Sequence, residues 1–268
     1  MSDTVVKRNG QVEEIHLSKI HEMVEHACRG LAGVSESAIE MNANLQLFDG
    51  IKTSDIQEIL VRSANDLISL DAPNYQFAAA RLLLFGLRKS VYGFHPDNAP
   101  HLQNHVIECA ASKVYDSSIV EAYTDDEWDQ INDMIDNDRD YLFTYAGLRQ
   151  VVDKYLVQDR SSGDIFETPQ QMYIMIAATL FQRYPTETRL DYVKRYYDAI
   201  SKHRINIPTP IMAGVRTPLR QFASCVLVDV DDTIDSIFSS DMAIGYYVAQ
   251  RAGIGINAGR IRGINAKI

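Results

Sequence analysis

The spacing of apolar residues changes period several times along this chain, and each change predicts an element. Residues 4–17 read TVVKRNGQVEEIHL, two short β-prone runs around Asn9-Gly10. Both residues of that pair tolerate the positive φ of a type I′ turn, so a β-hairpin is predicted. Ile20, Met23, Val24, Ala27 and Leu31 then recur at helical spacing behind Ser18, a residue suited to cap a helix. A second helix is predicted over 35–47, and Asp49-Gly50 breaks it. Thr53 or Ser54 caps a third, with Ile56, Ile59, Leu60 and Leu67 on one face, and Asp71-Ala72-Pro73 separates it from a fourth over 75–92. A hairpin followed by four helices is a small α+β module.

Residues 93–100, GFHPDNAP, combine Gly, Pro and polar side chains and read as a linker. Residues 102–204 are predicted to be mostly helical, with strong periodicity in 172–181 and 190–200. Within 154–168 the segments KYLV, QDRSSGD and IFET interrupt as a β-hairpin or an extended arm. Pro208, Pro210 and Pro218 then leave little room for helix. An apolar strand at 222–230, a helix opened by Asp231, Asp232 and Thr233, and the glycine-rich apolar segment AGIGINAGRIR follow. Strand, helix, strand is how a parallel sheet begins, and two strands cannot bury both faces of one. The pattern therefore gives a mainly helical α+β chain in three parts, 1–93, 94–220 and 221–268, the last incomplete by itself.

Composition narrows the function classes. The 268 residues are 46% hydrophobic and 23% charged, as in an ordinary globular protein, with no apolar run long enough for a membrane span. MSDTVVKRNG lacks the apolar core of a signal peptide, so a cytoplasmic protein is expected. The formal net charge of −10 argues against holding a nucleic-acid backbone but not against nucleotides, which need only a few local cations. Cys28, Cys109 and Cys225 are far apart and form neither a CxxC pair nor a zinc spacing with the seven histidines; a reduced setting and no metal site are expected.

Lys7 and Arg8 flank the predicted turn, Lys19 lies one turn into the next helix, and Lys89 lies near the end of the fourth. Singly, each reads as solvated surface charge; together, beside a tight turn and a helix start, they suit phosphate binding. The ordinary reading of Cys225, inside an apolar strand, is inert core packing. Against it stand Pro208-Thr209-Pro210 and the adjoining Ser224, which put hydroxyl and thiol groups near a stiff loop. Asp232 reads as a capping carboxylate. AGIGINAGRIR is no GxGxxG fingerprint; Gly253, Gly255 and Gly259 indicate close backbone approach to a ligand or a neighbour.

These blocks resemble a known family. VKRNGQVEEIHLSKIH, DGIKTSDI and AAARLLLFGLRK resemble the ATP-cone that opens class Ia ribonucleotide reductase large subunits, of the enterobacterial and T4-type phage kind. NDRDYLFTYAGLRQVVDKYLVQDR, ETPQQMYIMIAATLF and YPTETRLDYVKRYYDAIS resemble the helical region that follows. INIPTPIMAGVRTPLRQFASCVL and YVAQRAGIGINAGRIRG resemble the start of the ten-stranded α/β barrel. The resemblance places Val5, Lys7, Arg8, Glu13, Lys19, Thr53, Phe85 and Lys89 around an ATP or dATP effector. His16 and Gln57 depart from the family pattern, which has Asn and His there. It places Thr209, Ser224, Ala252 and Gly253 against a ribonucleoside diphosphate. Cys225 matches one of two redox cysteines, and Asp232 and Arg262 match contacts to a deoxynucleoside triphosphate specificity effector at a homodimer interface.

The implied reaction is reduction of ribonucleoside diphosphates for DNA synthesis. A thiyl radical abstracts hydrogen at C3′, water leaves, and a dithiol supplies two electrons and ends as a disulfide. No cofactor is held covalently; the resemblance implies a small subunit carrying the diferric-tyrosyl radical, and thioredoxin or glutaredoxin as reductant. The chain does not contain the family's radical cysteine or its partner redox cysteine, so a complementary chain completing a split large subunit is expected, in the host cytoplasm if phage-encoded. A free-standing nucleotide-binding regulator is the alternative, against which the Ser224-Cys225 strand argues; a truncated piece is a third.

Overall fold

The computed structural model describes residues 4–44, 48–93, 99–159, 161–219, 221–250 and 252–266. Strands β1 (Thr4–Val6) and β2 (Val12–Glu14) pair antiparallel, with Val5 opposite Glu13. The turn between them differs from the predicted type I′. Lys7 N donates to Gln11 O at 2.8 Å, Gly10 N donates to Lys7 O at 2.9 Å, and Gly10 has positive φ, 83°. This is a three-residue loop with one left-handed glycine. Asn9 acts through its side chain, Oδ1 accepting from Gln11 N at 3.1 Å. A strand the sequence did not reveal, β3 (Ile51–Lys52), joins β1 in parallel and gives the order β2-β1-β3.

Helices α1 (Leu17–Cys28), α2 (Glu36–Asn44), α3 (Thr53–Asp66) and α4 (Tyr75–Tyr92) pack on this sheet. Neither Ser18 nor Thr53 or Ser54 caps as expected. The extended backbones of His16 (φ −104°, ψ 96°) and Lys52 (φ −74°, ψ 142°) occupy the cap positions without a side-chain bond. Strand β3 runs straight into α3, and only Ile15 and His16 separate β2 from α1, so in each case the last extended residue becomes the cap. Residues 45–47 of the predicted second helix and 94–98 of the predicted linker lie outside the described residues.

The helical region comprises α5 (Leu102–Ala111), α6 (Asp125–Asp133), α7 (Tyr145–Lys154), α8 (Pro169–Phe181) and α9 (Thr186–Ser201). Helix α8 is buried from Pro169 to Ala178, as expected of a helix apolar all round. Residues 154–168 do form a short hairpin, bridged between Gln158 and Ile165. Helix α10 (Thr209–Gly214) corrects the reading that prolines exclude helix here. Pro210 stands in its first turn, where an amide donor has no partner to lose. Arg216, beyond α10, is fully buried with Glu167; its Nη1 donates to Met212 O (2.5 Å), and its Nη2, paired with Glu167, also donates to Tyr155 O (2.9 Å).

Two apolar cores result, and α4 belongs to both. Tyr75, Ala78, Ala79 and Leu82 pack with α1, α2 and α3, while Ala80, Leu84 and Leu87 pack among α5–α9. The remaining part starts with β4 (Cys225–Asp229), crosses over through α11 (Ile234–Ala249), and returns as β5 (Gly253–Asn257) parallel to β4. Thr233 caps α11, its Oγ1 accepting from Ser236 N at 3.1 Å. Asp231 and Asp232, predicted to open the helix, instead bind Arg260 (2.9 Å) and Arg262 (2.5 Å). The close approach expected of the glycines is to the neighbouring strand: a Cβ at Gly255 would stand 2.7 Å from Leu227 Cδ2. Among the described residues this unit leaves Leu227, Phe238, Met242 and Tyr246 exposed, Leu227 to 86%.

Candidate nucleotide cavity and redox thiol

A cavity of about 410 Å³ opens between the hairpin, α1, α3 and α4. Its wall is apolar where Val5, Ile15, Ile20, Met23, Ile56 and Phe85 meet, and charged where Lys7, Lys19, Lys89, Glu13 and Glu22 meet. Val5 reaches it because strand alternation turns Val5 inward; Lys7 follows two residues on, at the same face. Lys19 enters from the first turn of α1, and Phe85 and Lys89 are one turn apart on α4. Thr53 is the first residue of α3, so the positive end of that helix also opens on the cavity.

Glu13 bridges Lys7 at 2.8 Å and lies 3.7 Å from Lys19, and the Lys7 hydrogen bond holds its carboxyl below the usual range. Burial, then the nearby Arg8, Lys7 and Lys19, push the Lys89 ammonium below the ordinary lysine value. A bound anion beside Lys89 would favour its charged form again.

Seven of the eight residues expected around the effector line this one cavity: Val5, Lys7, Glu13, Lys19, Thr53, Phe85 and Lys89. Arg8 stands exposed at the turn, outside the lining. His16 and Gln57 line it too. The Gln57 amide donates to Leu82 O at 2.6 Å, and its chain fits because residue 86 is glycine, where a Cβ would lie 2.9 Å from Gln57 Cγ. Sequence reasoning missed Ile15, Glu22, His26 and Ile56 as lining. The signal was present in the stripe of His16, the cap, and Lys19, Ile20, Met23 and His26 on α1, part of which reads as core spacing.

The thiol lies elsewhere. Cys225 is paired in register with Gly253, whose N donates to Ser224 O at 2.9 Å, and a Cβ at 253 would stand 3.9 Å from Cys225 Sγ. Ser224, Cys225 and Gly253 are therefore together, with Ala252 buried beside them and its N bonded to Tyr247 O at 3.1 Å. Thr209 is the first residue of α10, its Oγ1 3.4 Å from Tyr155 Oη. Tyr155 lines a second cavity of about 560 Å³ with Phe143, His203 and Met212.

Cys225 is exposed, whereas Cys28 and Cys109 are buried and their thiols are pushed up to about 11 and about 12 by burial. Cys109 faces His105 Nε2 at 3.5 Å, but burial lowers the proton affinity of that imidazole, so it offers no cation to draw out a thiolate. Asp232 and Arg262 form a half-buried pair, with Arg262 Nη2 also donating to Asp232 O at 3.3 Å. Among the described residues no three His, Cys, Asp or Glu side chains are placed to hold a metal, and no helix is long and apolar enough to cross a membrane.

Three family models match along the chain: an ATP cone domain over residues 3–90, a ribonucleotide reductase all-alpha domain over 141–220, and a ribonucleotide reductase barrel domain over 223–268. The chain is 52% identical over 265 residues to ribonucleoside-diphosphate reductase 1 subunit alpha of Escherichia coli K12, covering 98% of this chain and 34% of that one. It is 51% identical to the alpha subunit of Haemophilus influenzae, covering 98% and 35%, and 39% identical to that of Enterobacteria phage T4, covering 98% and 34%. The chain spans about a third of the length of these relatives.

Proposed function

The chain belongs to the ribonucleotide reductase large-subunit family, corresponding to its N-terminal region, and from that premise we propose that it carries an adenine-nucleotide effector site and one half of a catalytic dithiol. The observation that carries the first part is the single cavity in which Lys7, Lys19 and Lys89 face an apolar wall containing Val5, Ile56 and Phe85. The ammonium groups and the start of α3 take the phosphates of ATP or dATP, and the apolar wall takes the base. Calorimetric titration of the chain with ATP tests it. Lys89→Gln is expected to weaken binding about tenfold or more, the loss of one charge-assisted phosphate contact. Undiminished affinity removes the assignment.

The second part rests on Cys225, the exposed thiol held beside Ser224 and Gly253. A ribonucleoside diphosphate and two thiols become a deoxyribonucleoside diphosphate, water and a disulfide, and Cys225 supplies one of those thiols. Thr209, Ser224, Ala252 and Gly253 hold the substrate; Asp232 and Arg262 contact a deoxynucleoside triphosphate between two large subunits. A small subunit supplies the diferric-tyrosyl radical, and thioredoxin or glutaredoxin returns the disulfide to thiols.

The three parts divide at 1–93, 94–220 and 221–268. The apolar residues exposed on β4 and α11 favour a complementary chain that covers them and completes the barrel. Mixing the chain with such a partner and the small subunit is expected to give deoxynucleotide formation, with none from the chain and small subunit alone. Robust turnover without the partner would exclude the split arrangement.

A further inference from the structure

Helix α4 carries two arginines outside the cavity lining, and both face one aromatic ring of the helical region. Arg81 Cζ lies 5.2 Å and Arg88 Cζ 5.8 Å from the ring centroid of Tyr141, in the 3₁₀ turn Asn137–Leu142. Arg81 also donates to Ala27 O (3.1 Å) and Arg29 O (2.7 Å), tying the end of α1 to α4. Arg88 donates to Asn137 O (2.5 Å) and Asp140 Oδ2 (2.9 Å). The third neighbour of Tyr141 is His26, ring centroids 6.4 Å apart, and His26 is part of the cavity wall. On α4 itself, positions 81, 85, 88 and 89 fall on one side, so Phe85 and Lys89 of the wall stand beside the two arginines.

The cluster continues inward. Gln170 Nε2 donates to Asp140 Oδ1 (2.8 Å), and Tyr197 Oη donates to Gln170 Oε1 (2.7 Å), which carries the hydrogen-bonded chain to α8 and α9. It is not saturated: the Nε atoms of Arg81 and Arg88 are both buried without a partner among the described residues. A buried donor left unmade favours any second pose that satisfies it, which is what a bistable contact requires.

We propose that Tyr141, clasped by Arg81 and Arg88, reports the occupancy of the cavity to the helical region. This rests on reading the cavity as a nucleotide site. A nucleotide held between α1 and α4 presses on His26 and Phe85 and neutralises Lys89. The relative placement of the two helices then changes at Arg81, which links them, and Tyr141 and Asp140 follow. Tyr141 is a positioning residue here and touches no ligand.

The test uses the full chain with ATP, reading affinity by calorimetry and local opening by hydrogen exchange over residues 137–145. In the wild type, saturating ATP is expected to slow exchange there about fivefold or more, at the lower end of allosteric couplings. Tyr141→Leu keeps apolar bulk but lacks the π face; it is expected to bind ATP within about threefold of wild type while losing the slowing. Tyr141→Phe keeps the ring and is expected to keep both. Should Tyr141→Leu unfold, Arg81→Lys keeps the charge but loses the planar stack, and is expected to show the same split. Slowing that persists in the Leu or Lys variant overturns the proposal, as does wild-type binding with no change over 137–145. Absence of any ATP binding by the wild type withdraws the nucleotide site itself, and the coupling with it.

Discussion

Single side chains separate the redox reading from plain packing. Cys225→Ser is nearly isosteric at an exposed strand residue, so folding and ATP binding are expected to persist. In the completed enzyme, reductant-driven multiple turnover is expected to vanish, while Cys28→Ala and Cys109→Ala retain turnover if they fold. Turnover by Cys225→Ser comparable with wild type would return this residue to structure alone. At the cavity, Lys7, Lys19 and Lys89, the lysines proposed to meet phosphate, line the wall together with His16 and Gln57, where the resemblance has Asn and His. With one N–H of the Gln57 amide committed to Leu82 O, its second N–H and its carbonyl oxygen are left to meet a ligand. One neutral hydrogen bond is worth about 0.5–1.5 kcal/mol, so ATP and dATP are expected to differ only several-fold. Competitive titration measures this; affinities for ATP and dATP that differ by about a hundredfold or more would contradict it.

Elements were legible where they were long. Helix α4 falls on its expected bounds because eighteen residues of helical spacing outweigh local noise, and α8 and α9 follow the same logic. Strand β3, two residues long, has no period to read; its pairing with β1 is decided by contacts across the chain. The caps of α1 and α3 were missed because extended backbone at His16 and Lys52, not a capping side chain, sets the entry geometry. Likewise most cavity residues could be named from the family resemblance, whereas the α1 stripe that lines the cavity shares Ile20 and Met23 with the helix's core spacing, so the sequence did not separate the two. Element-to-element ties carry their own prediction. Glu127, in the capping box of α6, binds Arg189 of α9, and that hydrogen bond, first among its interactions, holds the carboxyl below the ordinary glutamate value. A depressed carboxyl stabilises fully above its unfolded value, about 4.3, and loses that contribution as pH falls through the folded value. Glu127→Gln is therefore expected to melt lower than wild type at neutral pH, the gap narrowing on acidification. A gap that does not change with pH would show that packing rather than charge joins the two helices.

At the scale of the molecule the two ends differ in how much surface they have covered. The unit β4–α11–β5 presents Ile234, Phe238, Met242 and Tyr246 along one helix, all exposed among the described residues. Such a stripe favours association in water. Phe238→Asp is expected to lower the concentration-dependent oligomer fraction seen by analytical ultracentrifugation; an unchanged distribution would mean that another surface drives association.

The shared helix α4 bears on whether the first ninety residues are a cassette. A domain that can be moved between proteins has to carry its own finished exterior, and its boundary has to fall where its packing ends. Here the packing boundary runs along the helix rather than past its end, since Ala80, Leu84 and Leu87 belong to the neighbour's core. Excised after residue 93, the piece would turn those three positions toward water. Grafting it onto a foreign host is expected to succeed only with polar replacements there, or with a host that brings a matching hollow of its own.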